Sequence, residues 1–164
     1  MTNLEIISKK IFSRESLLRQ IAIWRMKGLK IVFTNGCFDL LHRGHVDYLS
    51  KAADLGDVLI IGVNSDASVK KLNKGPHRPI QNENDRALAL AAFQFIEAIN
   101  IFEEDTPYEL IKAVQPDVLV KGGDWKETDI AGSDIVKAKG GVVTSIPFVD
   151  GYSTTNIENK IKGK

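Results

Sequence analysis

One stretch decides the fold of this chain: Lys30-Ile31-Val32-Phe33-Thr34-Asn35-Gly36-Cys37-Phe38-Asp39-Leu40-Leu41-His42-Arg43-Gly44-His45. It starts as a short apolar strand, and after Gly44 the apolar residues recur at helical spacing. A strand that enters a helix through a glycine-containing loop places unpaired amides and the positive end of the helix dipole above the strand. Such a place suits an anion. His42 and His45 add donors to the first helical turn, and the stretch therefore predicts a phosphate site.

Two other interpretations of these histidines stay open. They can be satisfied surface residues at a helix start, or ligands of a metal together with Asp39. Zinc sites usually need a further ligand. The chain has only one other histidine and one cysteine, so we favour phosphate.

Composition narrows the class of protein. A chain of 164 residues is long enough for one domain with a real core. Its 22 Lys and Arg nearly balance 21 Asp and Glu, which argues against a nucleic-acid partner. The single cysteine, Cys37, fits a reducing compartment. No secretory signal or membrane-spanning run stands out, and we expect a cytoplasmic protein.

Apolar runs and capping residues divide the chain into alternating strands and helices. We predict one domain over 1–164, with an N-terminal helical extension (1–28) and a catalytic α/β core (29–164). The predicted strands cover 30–34, 57–64, 97–102, 117–121 and 142–146. The predicted helices run from the cap Ser13 to Lys27, over 44–55, 66–72, 83–95, from Thr106-Pro107 to 114, over 128–139, and from Ser153 to the C-terminus.

This alternation predicts an α/β fold: a Rossmann-like, doubly wound, five-stranded parallel sheet with helices on both faces. Ligands of such sheets lie beyond the carboxyl ends of the strands, near the switch point in strand order. Four polar loops follow predicted strands, at 34–45, 64–66, 121–125 and 147–155. We therefore expect them to gather at one edge of the sheet.

Two further motifs follow strands directly. Lys121-Gly122-Gly123-Asp124-Trp125 offers a charge, glycines that admit a ligand and a carboxylate. In Gly151-Tyr152-Ser153-Thr154-Thr155, three hydroxyls precede a helix. The simpler alternatives are a flexible turn for the first motif and plain N-capping for the second, although capping explains one hydroxyl better than three.

Basic residues lie beside the same edge. The segment Lys70–Lys74 carries three lysines, for which a solvated face is the simpler account. Arg86 lies early in a predicted helix, where the dipole disfavours a cation, and a specific anion would explain it.

The stretch 36–45 resembles the His-x-Gly-His signature of the cytidylyltransferase-like nucleotidyltransferases, and 151–157 is similar to the second signature of that superfamily. Five segments in order resemble, more narrowly, the adenylyltransferase domain of the ADP-heptose synthases: 34–39, 63–68, 102–107, 119–124 and 130–133. The resemblance covers the chain from about residue 11. No kinase-sized portion precedes it, so we expect a stand-alone adenylyltransferase.

The resemblance implies transfer of AMP from ATP to D-glycero-D-manno-heptose 1-phosphate, with Mg²⁺ accompanying ATP and no direct protein metal site. It implies His42, His45 and Lys121 as catalytic residues. Phosphate-binding residues are then expected at Gly36, Cys37, Phe38, Lys70, Arg86, Gly122, Gly151, Ser153, Thr154 and Thr155. The candidates for the sugar phosphate are Asp39, Asn64, Asp66, Arg78, Asp124 and Trp125.

One departure from a related family matters. Glycerol 3-phosphate cytidylyltransferases have an arginine three residues before the second-signature glycine, where this chain has Phe148. The missing positive charge must come from elsewhere, and Lys121, Lys70 or Arg86 are the candidates. Two other functions stay open: a cytidylyltransferase for a small polyol or amino-alcohol phosphate, and a non-catalytic nucleotide-binding module. Family habit suggests a homodimer, with a separate upstream heptose kinase and phosphatase.

Overall fold

The computed structural model describes residues 1–72, 75 and 77–163, so Asn73 and Lys74 of the predicted basic segment lie outside the described residues. Five strands form one sheet: β1 (Ile31–Gly36), β2 (Val58–Asn64), β3 (Ala98–Phe102), β4 (Val118–Gly122) and β5 (Val142–Ile146). The helices are α1 (Asn3–Ser8), α2 (Arg14–Met26), α3 (Arg43–Ala53), α4 (Asp66–Lys71), α5 (Glu83–Ala91), α6 (Tyr108–Val114), α7 (Ser133–Ala138) and α8 (Thr154–Ile161), and a 3₁₀ turn covers Glu127–Asp129.

All the strand pairs are parallel, in the order β3-β2-β1-β4-β5. The chain builds the sheet outward from β1 in one direction and then returns to add β4 on the other side of β1. The switch point therefore lies between β1 and β4, which is where ligands bind in doubly wound sheets. The predicted fold class is confirmed.

Apolar side chains on both faces of the sheet explain why its strands are apolar without alternation. On one face Phe33 and Ile60 pack with α2, α6 and α7. On the other face Val32 and Ile61 pack with α3 and α5. Burial on both faces is the condition that parallel sheets require, and it makes the sheet a rigid platform for the loops at its edge.

The two central strands separate towards their carboxyl ends. Residues of β1 and β4 pair only at Val32 with Val118 and at Phe33 with Leu119. Beyond that point Tyr48 of α3 enters between them: its hydroxyl hydrogen-bonds the Thr34 hydroxyl and donates to the Val120 carbonyl at 3.4 Å. Burial raises the pKa of this phenol, so it stays protonated and can donate this hydrogen bond.

The N-terminal region packs on the same core. Ser13 caps α2 as predicted, and Leu17 and Ile21 are buried among residues of the sheet. Ile11 bridges to Ile99 of the edge strand β3. Helix α1 was not predicted, although Thr2 and Glu5 form a capping box whose spacing is readable in the sequence.

Several predicted helix bounds were wrong. Helix α5 ends at Ala91 rather than at 95, because tight turns then carry Ile96 into the core before β3. The predicted helix 128–139 is interrupted by Gly132, which has a φ of +82° and whose Cβ would clash with Ile111. Helix α6 starts one residue later than predicted, with Pro107 as its cap.

Candidate active site

Three adjoining cavities lie at the carboxyl edge of the sheet, where the predicted loops meet. The central cavity, of about 310 Å³, is lined by Asn35, Gly36, Cys37, Phe38, Asp39, His45, Tyr48, Val69, Arg78, Lys121, Gly122, Trp125, Phe148 and Thr154. The imidazole cavity, of about 450 Å³, is lined by His42, His45, Arg78, Phe148, Tyr152, Ser153, Thr154 and Thr155. The rim cavity, of about 290 Å³, is lined by Asn35, Gly36, Cys37, Asn64, Leu72, Asp105, Thr106, Pro107, Lys121, Trp125, Asp129, Ile130 and Ala131.

Shared walls join these cavities into one cleft. The central and imidazole cavities share His45, Arg78, Phe148 and Thr154. The central and rim cavities share residues 35–37, Lys121 and Trp125. The cleft therefore runs from the two imidazoles, across the switch point, to the ends of β2 and β3.

The two histidines form a stacked pair. Their ring centroids lie 3.9 Å apart, with an angle of 28° between the planes. Gly44 makes this possible, because a Cβ at that position would lie 3.0 Å from the Nδ1 and Cε1 atoms of His42. The glycine of the motif thus gives the His42 ring the space to fold back over the first turn of α3.

Burial lowers the pKa of His42 below its ordinary value of 6.5, so its ring is neutral near pH 7. Its Nδ1 atom is buried and has no hydrogen-bond partner among the described residues. His42 is also the N-cap residue of α3, but its side chain makes no capping hydrogen bond. A neutral ring that is not used for capping can donate one N–H to a ligand in the imidazole cavity.

The loop after β1 is held in an unusual conformation. Phe38 has a φ of +49°, in the left-handed region, and its buried ring packs edge-on to His45 with centroids 5.4 Å apart. The same ring covers Gly36, where a Cβ would lie 2.9 Å from Phe38 Cε2. Such strain concentrates at functional sites when the surroundings fix it. Gly36, Cys37 and Phe38 all line the central cavity, as the phosphate-loop prediction requires.

The second signature provides the opposite wall of the imidazole cavity. The Ser153 hydroxyl accepts from the Asn156 amide and caps α8, so one of the three predicted hydroxyls serves the helix. Thr154 and Thr155 line the cavity. Arg43, next to His42, donates to the Tyr152 hydroxyl at 3.4 Å and lies over its ring. This contact ties the start of α3 to the turn that carries the threonines.

Lys121 and Trp125 stand where the central and rim cavities meet. Lys121 donates to Asn35 Oδ1 at 3.4 Å, and its ammonium lies 5.7 Å from the Trp125 ring centroid. Gly122 lines the central cavity and also contacts Phe148. A Cβ there would lie 2.6 Å from Phe148 Cε1, so this glycine makes room for an aromatic ring as well as for a ligand.

Arg86 is not a phosphate ligand, which corrects the prediction. Its side chain is 0% exposed and donates to the carbonyls of Gln81, Cys37 and Asn64 and to Asp66 Oδ1, at distances from 2.5 to 3.0 Å. The anion that offsets its unfavourable place in α5 is therefore a carboxylate of the protein. Arg86 joins the loops after β1 and β2 and so shapes the cleft from behind.

Two of the predicted sugar ligands are also held by the protein. The buried carboxylate of Asp39 accepts from the amides of Ile80 and Gln81 at 2.8 to 2.9 Å. It thereby fixes the segment after residue 77 against the loop after β1, although it still lines the central cavity. Asp66 pairs with Arg86 and does not line the cleft. Both are corrected to positioning roles.

The cleft brings together most of the other predicted residues. Asn64 lines the rim cavity, with its amide donating to the Ser68 hydroxyl, and Arg78 lines the central and imidazole cavities. Lys70 and Asp124 are exposed and line none of the three cavities. Gly151 also lies outside them; its φ of +82° shows that its role is to turn the chain into the Ser-Thr-Thr segment.

Sequence reasoning missed a group of cleft residues. Asp105, Thr106 and Pro107 follow β3, whose loop was not among the four expected ones, although the same strand-end rule applied to it. Asn35 lies within the quoted stretch but was not assigned a role. Tyr48 reaches the cleft through packing, which no spacing in the sequence reveals, whereas Phe148 and Tyr152 lie in the predicted 147–155 loop but were assigned no ligand role.

The described residues contain no group of three or more His, Cys, Asp or Glu side chains that could hold a metal ion. The zinc alternative required Asp39 beside the imidazoles, but its carboxylate is directed to backbone amides. Among the described residues, no helix is long and apolar enough to cross a membrane.

Comparison with known proteins identifies the family of this chain. Residues 33–162 match the cytidylyltransferase-like family model. The chain is 56% identical over 152 residues to the bifunctional protein HldE of Trichlorobacter lovleyi, covering 93% of this chain and 31% of that protein. It is 52% identical over 155 residues to HldE of Wolinella succinogenes, covering 94% and 32%. The chain thus spans about a third of the length of these relatives.

Solved structures give the same picture. The lipopolysaccharide core biosynthesis protein from Thermoplasma volcanium superposes with a TM-score of 0.62 at 26% identity, covering 77% of this chain and all of that one. Pantoate–β-alanine ligase from Francisella tularensis, at 15% identity and a TM-score of 0.55, shares the fold alone. The family match covers both signatures that form the cleft, and the chain belongs to the cytidylyltransferase-like family.

Proposed function

We propose that this chain is a nucleotidyltransferase that transfers AMP from ATP to D-glycero-D-manno-heptose 1-phosphate, giving ADP-heptose and pyrophosphate. One observation carries the proposal: the imidazole pair and the Thr154-Thr155 turn line one cavity, which opens across the switch point towards Lys121 and Trp125. The choice of heptose rests on the five segments that resemble the adenylyltransferase domain of ADP-heptose synthases. The relatives named HldE, above 50% identical, support the same choice.

The reaction needs no covalent enzyme intermediate. An oxygen of the sugar phosphate attacks the α-phosphorus of ATP, a new P–O bond forms, and the bond to the β-phosphate oxygen breaks with release of pyrophosphate. The protein then has two tasks, to hold two anions in line and to stabilise the charge on the non-bridging oxygens. Both tasks call for donors and cations rather than for a nucleophile.

The cleft distributes these tasks along its length. His45 lines both the central and imidazole cavities, where an α-phosphate between two substrates would lie, and neutral His42 stacks behind it. Thr154 and Thr155 would hold the leaving pyrophosphate. Amides around Cys37 and the ammonium of Lys121 would hold phosphate in the central cavity. Mg²⁺ enters this proposal as part of the MgATP substrate.

A pyrophosphate-release assay tests the proposal directly. The purified chain is incubated with ATP or CTP and with heptose 1-phosphate or glycerol 3-phosphate, and the sugar nucleotide is identified by mass. We expect turnover only with ATP and heptose 1-phosphate. The His42→Asn variant should lose that turnover, whereas His77→Asn, which changes an exposed histidine outside the three cavities, should retain it.

The competing functions give different results in the same assay. A cytidylyltransferase would turn over CTP with glycerol 3-phosphate and leave ATP unused. A non-catalytic module would bind ATP but release no pyrophosphate with any acceptor. The proposed homodimer, the cytoplasmic location and the separate heptose kinase and phosphatase extend the proposal, and light scattering of the purified chain tests the first of them.

A further inference from the structure

The chain has two largely buried arginines close to the loop after β1, and their surroundings differ. Arg86 is fully buried and makes four hydrogen bonds to protein acceptors, none longer than 3.0 Å. The Arg78 side chain is 12% exposed and lies in the wall that the central and imidazole cavities share. All the hydrogen bonds of Arg86 are thus made to the protein itself, and we compare Arg78 with it as an example of a structural arginine.

Arg78 is poorly satisfied by comparison. Its Nη1 donates to Asp39 Oδ2 over 3.3 Å, and that carboxylate already accepts shorter bonds from the amides of Ile80 and Gln81. Its Nε lies 2.8 Å from Glu158 Oε1 as an ion pair, yet it is buried and has no aligned hydrogen bond among the described residues. The Glu158 ion pair holds Nε in place, and the long Nη1 contact leaves the terminal nitrogens of the guanidinium with donors that a further acceptor can use.

The charges of the side chains that line the imidazole cavity indicate that the acceptor for Arg78 is an anionic ligand. Among the described residues lining this cavity, Arg78 is the one side chain that carries a permanent positive charge. His42 is neutral near pH 7, since burial lowers its pKa. The other lining side chains are a second imidazole, hydroxyls and aromatic rings. Donors without a cation hold a polyanion weakly, and Lys121 lies at the other end of the cleft, between the central and rim cavities.

We propose that Arg78 binds the β- and γ-phosphates of the nucleotide, the part that leaves as pyrophosphate, with Asp39 and Glu158 holding the guanidinium over the cavity. This inference rests on the proposed function for the identity of the nucleotide. It also reassigns Arg78, which the sequence placed at the sugar phosphate. A guanidinium fork matches phosphate oxygens in two-point contacts. Arg78 and Phe148 line the same two cavities.

The arrangement links the nucleotide to the hydroxyl turn. Glu158 belongs to α8, and the N-terminal end of that helix carries Thr154 and Thr155. Arg78 therefore connects the segment after residue 77 to the helix that supplies the hydroxyl donors. Phosphates bound to Arg78 would contact a group that is already fixed against both walls of the imidazole cavity.

The test measures binding of ATP, AMP and pyrophosphate by titration calorimetry to the wild-type chain, Arg78→Gln, Arg78→Lys and the control Arg19→Gln, which alters an exposed arginine on α2. Loss of a charged phosphate contact should weaken ATP and pyrophosphate binding by about 10- to 100-fold in Arg78→Gln. AMP binding should change by less than about threefold, because AMP lacks the two phosphates. Arg78→Lys should lie in between, since lysine keeps the charge and loses the fork.

Two results would overturn the inference. Equal losses for ATP and AMP would make Arg78 a structural residue like Arg86. If Arg78→Gln binds ATP as the wild type does but has a raised KM for heptose 1-phosphate, Arg78 binds the sugar phosphate instead. If Arg78→Gln does not fold, the Nε–H resonance of Arg78 in the wild-type chain, identified by its absence from Arg78→Lys, should shift with pyrophosphate and not with heptose 1-phosphate. A chain that binds ATP through Arg78 yet makes no ADP-heptose would refute the proposed function and leave this inference standing.

Discussion

Replacement of Arg86 by methionine should lower the free energy of unfolding of the chain. It should not remove any direct contact with the substrates. Methionine keeps an apolar stem of similar length, but it removes every donor that Arg86 extends to Gln81, Cys37, Asn64 and Asp66. The Asp66 side chain is about one-third exposed and can be rehydrated. The three carbonyls lie behind the cleft, and they lose a charged partner in a place where the arginine was fully buried.

The magnitude follows from these contacts. Breaking a buried ion pair typically costs about 3 to 5 kcal/mol, and each orphaned buried acceptor about 1 to 3 kcal/mol. Partial access of water to Asp66 and to the loop carbonyls lowers the sum, so we expect a loss of about 3 to 5 kcal/mol. For a domain of this size that corresponds to a fall in Tm of roughly 6 to 20 °C.

Urea unfolding followed by tryptophan fluorescence measures the free energy of unfolding by linear extrapolation. Arg19→Gln is the matched control, because it removes an exposed arginine, and it should stay within about 0.5 kcal/mol of the wild type. The reasoning is refuted if Arg86→Met unfolds at the wild-type urea concentration while its KM for ATP rises. That combination would make Arg86 a phosphate ligand, as the sequence suggested.

Three further predictions concern the imidazole pair. Replacing His42 by alanine should lower kcat by about 100- to 1,000-fold, the usual effect of losing one preorganised donor; pyrophosphate release checks this, and a change in KM alone would contradict it. Burial lowers the pKa of His42, so the folded chain binds this proton less tightly than the unfolded chain does. The free energy of unfolding should therefore fall as pH drops below about 6.5. Urea unfolding at several pH values should show that this free energy depends less on pH in His42→Asn than in the wild type. The same pH dependence in both chains would contradict this prediction. Gly44→Ala should place its Cβ 3.0 Å from the His42 ring. Helix propensity favours alanine over glycine by about 1 kcal/mol, so the Tm of this variant should not fall. Turnover should drop by about tenfold or more. Unchanged turnover would show that the His42 ring has room to move.

The sequence by itself determined the alternation of strands and helices, the parallel sheet and the place of the cleft. It did so because apolar runs, caps and glycines act over a few residues, and because parallel strands bring their carboxyl ends to one edge whatever their order. Both signatures were found by their resemblance to a known family, because each is a short run of consecutive residues. The five strands fall within one or two residues of the predicted bounds, and Ser13 caps α2 as expected, whereas Ser153, predicted as a phosphate ligand, caps α8.

Tertiary structure alone decided what each charged group does. Arg86 and Arg78 are both arginines beside the same edge, yet Arg86 is satisfied by four protein acceptors, whereas Arg78 is held by Asp39 and Glu158 and lines the cleft. Asp39 reads as a ligand in the sequence but holds backbone amides about 40 positions further along the chain. Whether a donor or acceptor is available to a ligand depends on partners distant in sequence, and local spacing carries no information about them.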